Sequence, residues 1–156
     1  MRAIHRHRVL LGCALLLGLV DLGTSSAAAA SLSAEQQCLA LNIYWEARGE
    51  AREGMIAVGW VVLNRVRSKQ FPATPCAVVL QGGERPPCEF SWWCDGRSDR
   101  PREQRSWQRA QIVAADLLVN PPPDPTRGAL FYHNTTIRPP WNRVRTVRIG
   151  NHVFYR

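Results

Sequence analysis

One carboxylic acid, Glu46, stands out among the residues that could do chemistry. It lies in segment 38–47, where it is one of only two polar residues. Desolvation favours the neutral acid and raises its pKa. A neutral carboxylic acid that faces a cleft is a general acid, the group that protonates a glycosidic oxygen. A structural ion pair with Arg48, Arg52 or Arg65 accounts for the same residue equally well.

Most glycosidases use a second carboxylate. The sequence offers four candidates for it: Glu50, Glu53, Glu89 and Asp95. Glu50 follows Glu46 by one helical turn, at a helix end where solvation is easier. We therefore expect a structural role for Glu50, in bonds to backbone amides or to an Arg of the next helix. Asp95, directly before a glycine, is typical of a turn residue.

Other kinds of catalysis find little support. The sequence contains no GxSxG nucleophile elbow, no P-loop and no dinucleotide fingerprint, so we expect no bound cofactor. His133 lies at the end of a candidate strand, where a lone histidine is more often structural than catalytic. Aromatic rings in loops form stacking platforms for sugars or bases, and Trp92, Trp93 and Trp141 are of this kind. Core packing is expected for the other three Trp: Trp45, Trp60 and Trp107.

The first thirty residues have the order of a secretory signal peptide. A basic start with three Arg precedes the apolar run Val9–Val20, and Ala27–Ala30 follows. The apolar run of 12 residues is short for a bilayer span. We expect residues 1–30 to be a cleaved signal peptide and residues 31–156 to be an exported domain, in the periplasm, cell wall or extracellular space. An uncleaved membrane anchor, or a lipoprotein through Cys13, is the alternative.

Cleavage changes the cysteine and charge counts. Four of the five cysteines remain: Cys38, Cys76, Cys88 and Cys94. An even number in an exported chain predicts two disulfides, for which three pairings are possible. Zinc binding is less consistent with the spacing, because CxxC and HxxxH are both missing, and we expect no metal. The leader takes three Arg and one Asp from 20 bases and 12 acids, which leaves 17 and 11 and changes the net charge from +8 to +6.

Local patterns predict a mainly α domain of the α+β class with a small C-terminal β-hairpin. A capping box of Ser33 and Gln36 begins the first helix, and Pro121–Pro123 ends the last one. The predicted helices cover 34–48, 53–67 and 102–119, with a helical turn through 79 after Thr74-Pro75. Residues 81–102 are predicted to form a long ordered loop. Short strands are predicted over 129–133, 144–148 and 152–155, with a tight turn around Gly150.

Several sequence segments carry a recognisable pattern: Ile43–Glu50, Glu53–Val58, Val61–Val66, Phe71-Pro72, Cys88–Trp92, Cys94–Gly96, Asp124–Tyr132 and Ile149–Phe154. In this order they resemble the cell-wall hydrolase family typified by the spore cortex-lytic enzyme (the SleB/CwlJ type). The resemblance covers about residues 36–156. It implies a lysozyme-like or lytic-transglycosylase-like fold that acts on peptidoglycan between N-acetylmuramic acid and N-acetylglucosamine.

The resemblance also implies a catalytic residue. The family's catalytic acid is the first one of the stretch Tyr-x-Glu-Ala-Arg-Gly-Glu, which corresponds to Glu46. A lytic transglycosylase needs only this acid, because the sugar's own 6-hydroxyl closes a 1,6-anhydro ring. The missing second carboxylate is then no longer a difficulty.

Glu89 departs from the family pattern, which often has Gln before the Phe-Ser pair. Gln can donate a hydrogen bond to a sugar, whereas an ionised Glu cannot. Glu89 is therefore a candidate second carboxylate in the cleft. The expected substrate contacts are Glu89, Phe90, Ser91, Tyr132, His133 and Asn134. Arg48 and Glu50 are expected to support the site or the fold without touching substrate.

Three other functions remain open at this point. A hydrolysing muramidase on the same fold would leave reducing ends instead of anhydro sugars. A non-catalytic module would bind peptidoglycan without releasing products, and the chain has no separate peptidoglycan-binding repeat. An extracellular nucleic-acid binder is suggested by charge alone and lacks a recognisable motif. Peptidoglycan strands are the expected partner, with no nucleic acid and no membrane span after cleavage.

Overall fold

The computed structural model describes residues 33–156. The predicted signal peptide, residues 1–30, lies outside the described residues. The elements in chain order are α1 Ala34–Ala47, α2 Arg52–Arg67, α3 Pro75–Val79, a 3-10 turn at Ser91–Trp93, α4 Gln104–Val119, β1 Phe131–Asn134, β2 Arg145–Ile149 and β3 His152–Tyr155. The predicted helices and strands are all present, and their ends differ from the prediction by a few residues.

Helix α1 begins at the predicted cap. The Ser33 side chain accepts a hydrogen bond of 3.2 Å from the backbone N–H of Gln36, which satisfies one of the free amides of the first turn. The buried residues of α1 lie on most of its circumference: Leu39, Ala40, Asn42, Ile43, Tyr44 and Ala47. The reason is that α2, α3 and α4 all pack against it. The prediction of a buried central helix is confirmed.

Close packing between the helices depends on Gly59 in the middle of α2. A Cβ at this position would collide with the side chain of Leu117 on α4 and would lie 3.1 Å from Ile43 Cδ1 on α1. The missing side chain therefore lets three helices approach one another closely.

The C-terminal residues form a three-stranded antiparallel sheet in the order β1-β3-β2. The predicted hairpin is β2–β3, with Ile149 opposite His152. The third strand, β1, pairs with the other edge of β3, so that Tyr132 lies opposite Phe154. Phe154 and Ile149 pack with Val61 of α2 in a small second core. The β element is thus larger than the expected hairpin.

Two disulfides crosslink the described part of the chain. Cys38 of α1 is bonded to Cys76 of α3, and Cys88 is bonded to Cys94 within the long loop. The sequence left three pairings open, and the structure selects this one. None of the helices in residues 33–156 is long and apolar enough to cross a membrane.

Asp124 organises the connection between α4 and β1. Its Oδ1 accepts from the Thr126 backbone N–H at 2.7 Å, and its Oδ2 accepts from the Gly128 N–H at 2.8 Å. Asn64 of α2 donates to Asp124 Oδ2 at 3.0 Å and to the Ala129 carbonyl at 3.1 Å. Partial burial raises the pKa of Asp124, but these hydrogen bonds outweigh it and leave the pKa below its ordinary value. The carboxylate therefore holds the start of the sheet against α2.

We predict that Asp124→Asn lowers the free energy of unfolding by about 1–3 kcal/mol at neutral pH, because an amide cannot accept all these bonds. A group with a lowered pKa stabilises the fold above its unfolded pKa of about 4 and loses that effect as the pH falls through its folded pKa. The difference between wild type and variant should therefore shrink in acid. Urea unfolding at several pH values measures it.

Asp116→Asn is the matched control for this experiment. Asp116 contacts Arg52 at the surface, at 2.5 Å, and exposed ion pairs contribute only about 0–1 kcal/mol. An equal loss of stability in the two variants would contradict the role given to Asp124.

Candidate active site

A cleft of about 630 Å³ lies where α1, the disulfide-closed loop and the sheet meet. Residues of α1, α2, the long loop and the C-terminal sheet with its connections contribute to its walls: Trp45, Glu46, Arg65, Cys88, Glu89, Phe90, Ser91, Trp92, Phe131, Tyr132, His133, Asn134, Ile137, Pro139, Trp141 and His152. This volume is within the range of about 300–1,000 Å³ that is typical of sites for small-molecule ligands.

The cleft brings together all seven residues that the sequence assigned to catalysis or substrate contact. Glu46 comes from α1, the group Glu89–Ser91 comes from the loop, and the group Tyr132–Asn134 comes from β1. Arg48 and Glu50 do not line it. Phe90 is almost completely buried, at 4% exposure, so it forms the wall rather than a free surface.

Glu46 has the environment of a proton donor. Burial raises the pKa of its carboxyl, while the hydroxyl of Tyr132 and the charge of Arg65 lower it by smaller amounts. Within residues 33–156 the Glu46 carboxyl has no salt-bridge partner within 4.0 Å. The ion-pair interpretation of Glu46 is therefore wrong for these residues: Arg48 and Arg52 pair with Glu103 and Asp116 instead.

Tyr132 is a polar neighbour of Glu46 in the cleft. Its hydroxyl is buried and makes no well-formed hydrogen bond within the described part of the chain, yet it is close enough to Glu46 to influence the pKa of that carboxyl. Burial and the neighbouring Glu46 raise the pKa of Tyr132 well above its ordinary value. The ring is held edge-on by His152, with 5.3 Å between the ring centroids. A neutral hydroxyl donor is thus fixed beside the acid.

Arg65 and Glu89 form the strongest ionic contact of the cleft. Arg65 Nη1 donates to Glu89 Oε2 at 3.0 Å, and Nε donates to the Leu130 carbonyl at 2.8 Å. The Arg65 side chain is only 5% exposed. Its guanidinium lies near three aromatic rings at 4.8–5.5 Å: Phe71, Phe90 and Phe131. Burial lowers the pKa of Arg65, and Glu89 partly restores it.

Glu50 connects the end of α1 to the β2–β3 turn. Its Oε1 accepts from Asn151 Nδ2 at 3.0 Å, and its Oε2 accepts from the Asn151 backbone N–H at 3.3 Å. The backbone amide contact agrees with the structural role expected for Glu50, whereas no Arg contacts its carboxylate in residues 33–156. His152 Nδ1 lies 3.9 Å from Glu50 Oε1. Burial lowers the pKa of His152, Glu50 raises it by less, and His133 lowers it further.

His133 has both ring nitrogens occupied. Nδ1 lies 2.8 Å from the Asn134 carbonyl, and Nε2 lies 2.8 Å from the Tyr155 hydroxyl. These contacts are those of a structural histidine at the edge of the cleft, which agrees with the preference derived from the sequence.

The structure changes the assignment of two cleft tryptophans and supports that of a third. Trp45 was expected in the core but is half-buried and lines the cleft. Trp92 was a candidate platform but is 7% exposed and donates from Nε1 to Asn42 Oδ1 at 3.3 Å. Trp141 is 42% exposed at the cleft and fits the platform expectation. The sequence did contain a signal for the position of Trp45 in the cleft, because this residue directly precedes the candidate acid Glu46.

Two further cleft residues, Arg65 and His152, were not assigned to the site from the sequence. No short-range pattern marks them, because each reaches the cleft only through packing between distant elements. Among residues 33–156, no group of three or more His, Cys, Asp or Glu side chains is arranged to hold a metal ion.

A family model described as cell wall hydrolase matches residues 49–155. The chain belongs to this family. The matched range begins three residues after Glu46. The family resemblance derived from the sequence motifs is confirmed.

Relatives of the family cover most of the described chain. The spore cortex-lytic enzyme of Bacillus subtilis (strain 168) is 35% identical over 120 residues, which cover 74% of this chain and 35% of that protein. The enzyme of the same name from Oceanobacillus iheyensis is 33% identical over 126 residues, covering 76% of this chain and 40% of that protein. The chain thus spans little more than a third of the length of these relatives.

Solved structures of the family match more completely. The catalytic domain of the germination-specific lytic transglycosylase SleB from Bacillus anthracis has a TM-score of 0.64 and 33% identity, and the match covers 81% of this chain and 98% of that one. The catalytic domain of Bacillus cereus SleB has a TM-score of 0.59 and 28% identity, with 81% and 93% covered. These matches confirm the predicted fold class.

We predict that Glu50→Gln lowers the pKa of His152 further, because it removes the charge that partly opposes the effect of burial. The neutral side chain also accepts more weakly from Asn151, so the free energy of unfolding should fall by about 1–2 kcal/mol. NMR titration of the His152 ring protons measures the first effect, and denaturant unfolding measures the second.

Glu53→Gln is the control for Glu50→Gln, since Glu53 is exposed in the first turn of α2. It removes the same charge three residues further along. A His152 pKa that stays constant or rises in Glu50→Gln would contradict the electrostatic role of Glu50.

Proposed function

We propose that this protein is a peptidoglycan glycosidase that cleaves the β-1,4 bond between N-acetylmuramic acid and N-acetylglucosamine as a lytic transglycosylase. The observation that carries the proposal is Glu46: a desolvated carboxyl, without a salt-bridge partner in residues 33–156, that lines a cleft in the core of the fold. Membership of the cell wall hydrolase family and likeness to the catalytic domain of a lytic transglycosylase support it.

The reaction needs one acid that changes role. The protonated Glu46 gives its proton to the glycosidic oxygen while the bond from that oxygen to C1 of N-acetylmuramic acid breaks, so N-acetylglucosamine leaves with a free 4-hydroxyl. Positive charge develops at C1. The resulting Glu46 carboxylate then takes the proton of the 6-hydroxyl as that oxygen bonds to C1. The product is a 1,6-anhydro sugar, and Glu46 is protonated again.

Other cleft residues are proposed to bind and orient the sugar. The Tyr132 hydroxyl is a donor beside Glu46, without a well-formed bond in residues 33–156. Ser91 and Asn134 offer a hydroxyl and an amide from opposite elements of the cleft. Trp45 and Trp141 offer aromatic surface. Orientation of this kind contributes to catalysis because it converts binding energy into correct geometry.

The proposed location is outside the cytoplasm. The signal peptide proposed for residues 1–30, the two disulfides and the substrate all support export. After cleavage at residue 30 the net charge would be +6. That charge assists approach to an anionic wall at low salt.

Hydrolysis is the second candidate reaction, and one observation favours it: a second carboxylate, Glu89, lines the same cleft. In a hydrolase this group would activate water. The 3.0 Å contact between Glu89 and Arg65 holds the carboxylate at the wall of the cleft instead. We therefore assign Glu89 to holding Arg65 and not to proton transfer.

The first test is Glu46→Gln. We predict that this variant keeps the fold and loses muropeptide release from purified sacculi by at least about a thousandfold, because an amide cannot donate the required proton. Circular dichroism checks the fold, and chromatography of released products checks activity. Glu53→Gln is the exposed control, and it should release products like wild type.

Mass spectrometry of the wild-type products separates the two reactions. Anhydro-muropeptides retained in Glu89→Gln support transglycosylation by Glu46 alone. Reducing-end products that disappear in Glu89→Gln would assign a hydrolase with two carboxylates. Full activity of Glu46→Gln would exclude both mechanisms as written here.

The second test concerns pH. A general acid works only while protonated, so activity should fall as the pH rises through the pKa of Glu46 in the free enzyme. The Tyr132 hydroxyl lowers this pKa, although burial dominates and raises it. We predict that Tyr132→Phe moves the alkaline limb of kcat/KM to higher pH.

Tyr155→Phe is the control for this pH experiment, because its hydroxyl contacts His133 at 2.8 Å and not Glu46. It should leave the position of the alkaline limb unchanged. A limb that moves to lower pH in Tyr132→Phe would contradict the assigned direction.

A further inference from the structure

A second cavity, of about 240 Å³, shares Trp45 and Trp92 with the cleft. Apart from these rings and Tyr44, it is lined mainly by charged residues of both signs: Arg48, Arg97, Arg102, Asp95, Asp99 and Glu103. We call it the ionic cavity. None of these charged residues lines the cleft, so the proposed glycosidase chemistry leaves the ionic cavity unexplained.

Few of the charged side chains that line the ionic cavity form salt bridges with one another. Arg48 Nε and Glu103 Oε1 are 3.9 Å apart, and this is the only salt bridge of the cavity among residues 33–156. Arg97 and Asp99 have no salt bridge within 4.0 Å in the same part of the chain. Arg48 Nη1 is a buried donor without an acceptor there. Buried donors are normally satisfied, so the guanidinium of Arg48, which lines the ionic cavity, keeps capacity to donate to an anion.

Hydrogen bonds to backbone groups, and not these charged side chains, hold the walls of the ionic cavity in place. Trp45 Nε1 donates to the Asp99 carbonyl at 3.1 Å. The Tyr44 hydroxyl accepts from the backbone N–H groups of Arg102 at 2.9 Å and Glu103 at 3.1 Å. The loop is thereby attached to α1 at two places. The charged side chains are left for other contacts.

Asp95 and Asp99 both line the ionic cavity. Some burial, then Asp95 and Glu84, raise the pKa of Asp99 above its ordinary value. A cation beside these two carboxylates would relieve that repulsion. At Arg48 an anion would be favoured instead, because its guanidinium is positively charged. This guanidinium lies 5.0 Å from the centroid of the Trp45 ring.

A ligand that satisfies both Arg48 and Asp99 carries a carboxylate and an ammonium group close together. If the proposed substrate is correct, the strand in the cleft carries short peptides on N-acetylmuramic acid, and these peptides have free carboxylate and ammonium groups. A four-residue peptide spans up to about 14 Å, and the ionic cavity adjoins the cleft at the shared Trp45 and Trp92. We propose that the ionic cavity binds the zwitterionic part of a peptidoglycan stem peptide, with its carboxylate at Arg48 and Arg97 and its ammonium at Asp99.

The first arm of the test measures binding and does not depend on catalysis. The free tetrapeptide L-Ala-γ-D-Glu-meso-diaminopimelate-D-Ala is titrated into the purified full chain labelled with 15N. We expect the Trp45 indole N–H signal to shift and the Trp60 indole signal, from a bond to the Pro122 carbonyl, to stay constant. Arg97→Ala and Asp99→Asn should each weaken binding about five- to tenfold, the loss of one charge-assisted hydrogen bond.

Two outcomes of this arm would overturn the proposal. One is binding that is equally strong in Arg97→Ala, Asp99→Asn and the control Arg145→Ala, which removes an exposed charge outside the cavity. The other is equally strong binding of the same peptide with acetylated amines and amidated carboxylates, since that peptide has no zwitterion.

The second arm separates this proposal from the proposed function. We compare kcat/KM for glycan strands with stem peptides and for strands from which an amidase has removed them. The ratio of kcat/KM on strands with stem peptides to kcat/KM on strands without them should be about five- to tenfold higher in wild type than in Arg97→Ala. Arg145→Ala should keep the wild-type ratio. Equal ratios would overturn the peptide site while leaving the glycosidase intact. Inactivity on both substrates would overturn the glycosidase, and the binding arm would still decide the peptide site.

Discussion

The contact between the Glu50 carboxylate and Asn151 joins the β2–β3 turn of the sheet to the end of α1. Two oxygens of one side chain hold the backbone and side-chain amides of the β2–β3 turn at 3.0–3.3 Å. Gly150 is needed in this turn, because a Cβ there would collide with the same carboxylate and its φ is +55°. Glu50 lies one helical turn beyond Glu46. Helix α1, which carries the candidate acid, ends at Ala47, so the residue that contacts the sheet lies in the connection directly after that helix.

The position of the sheet explains the surroundings of Glu46. With β3 attached near Glu50, its neighbour β1 brings Tyr132 next to the acid, and His152 supports the Tyr132 ring at 5.3 Å. Helix α1 carries the carboxyl, and Tyr132 of the sheet lies beside it in the cleft. Burial without an ion pair follows from this arrangement, and it is the largest influence that raises the pKa of Glu46.

Features with local causes could be predicted from the sequence, and those with distant causes could not. Ser33, the Thr74-Pro75 pair and the turn at Gly150 act within a few residues, so the elements they bound were predicted closely. Glu46 was found because its nearest neighbours in sequence are apolar. The pairing of β1 with β3 joins residues about twenty apart, and the contact of Glu89 with Arg65 depends on the long loop folding over α2. Short sequence patterns contain no information on either contact.

The contact of Glu89 with Arg65 bears directly on how a single acid can suffice. Arg65 is buried and lowers the pKa of Glu46 through its charge, as the smallest of three influences. A carboxylate at 3.0 Å neutralises much of that charge, so Glu46 keeps more of the pKa increase that burial causes. A Gln at position 89 would leave Arg65 uncompensated and would make Glu46 a stronger acid in its resting state. Glu89 is then explained as a counter-charge for Arg65, and the proposed chemistry needs no second carboxylate.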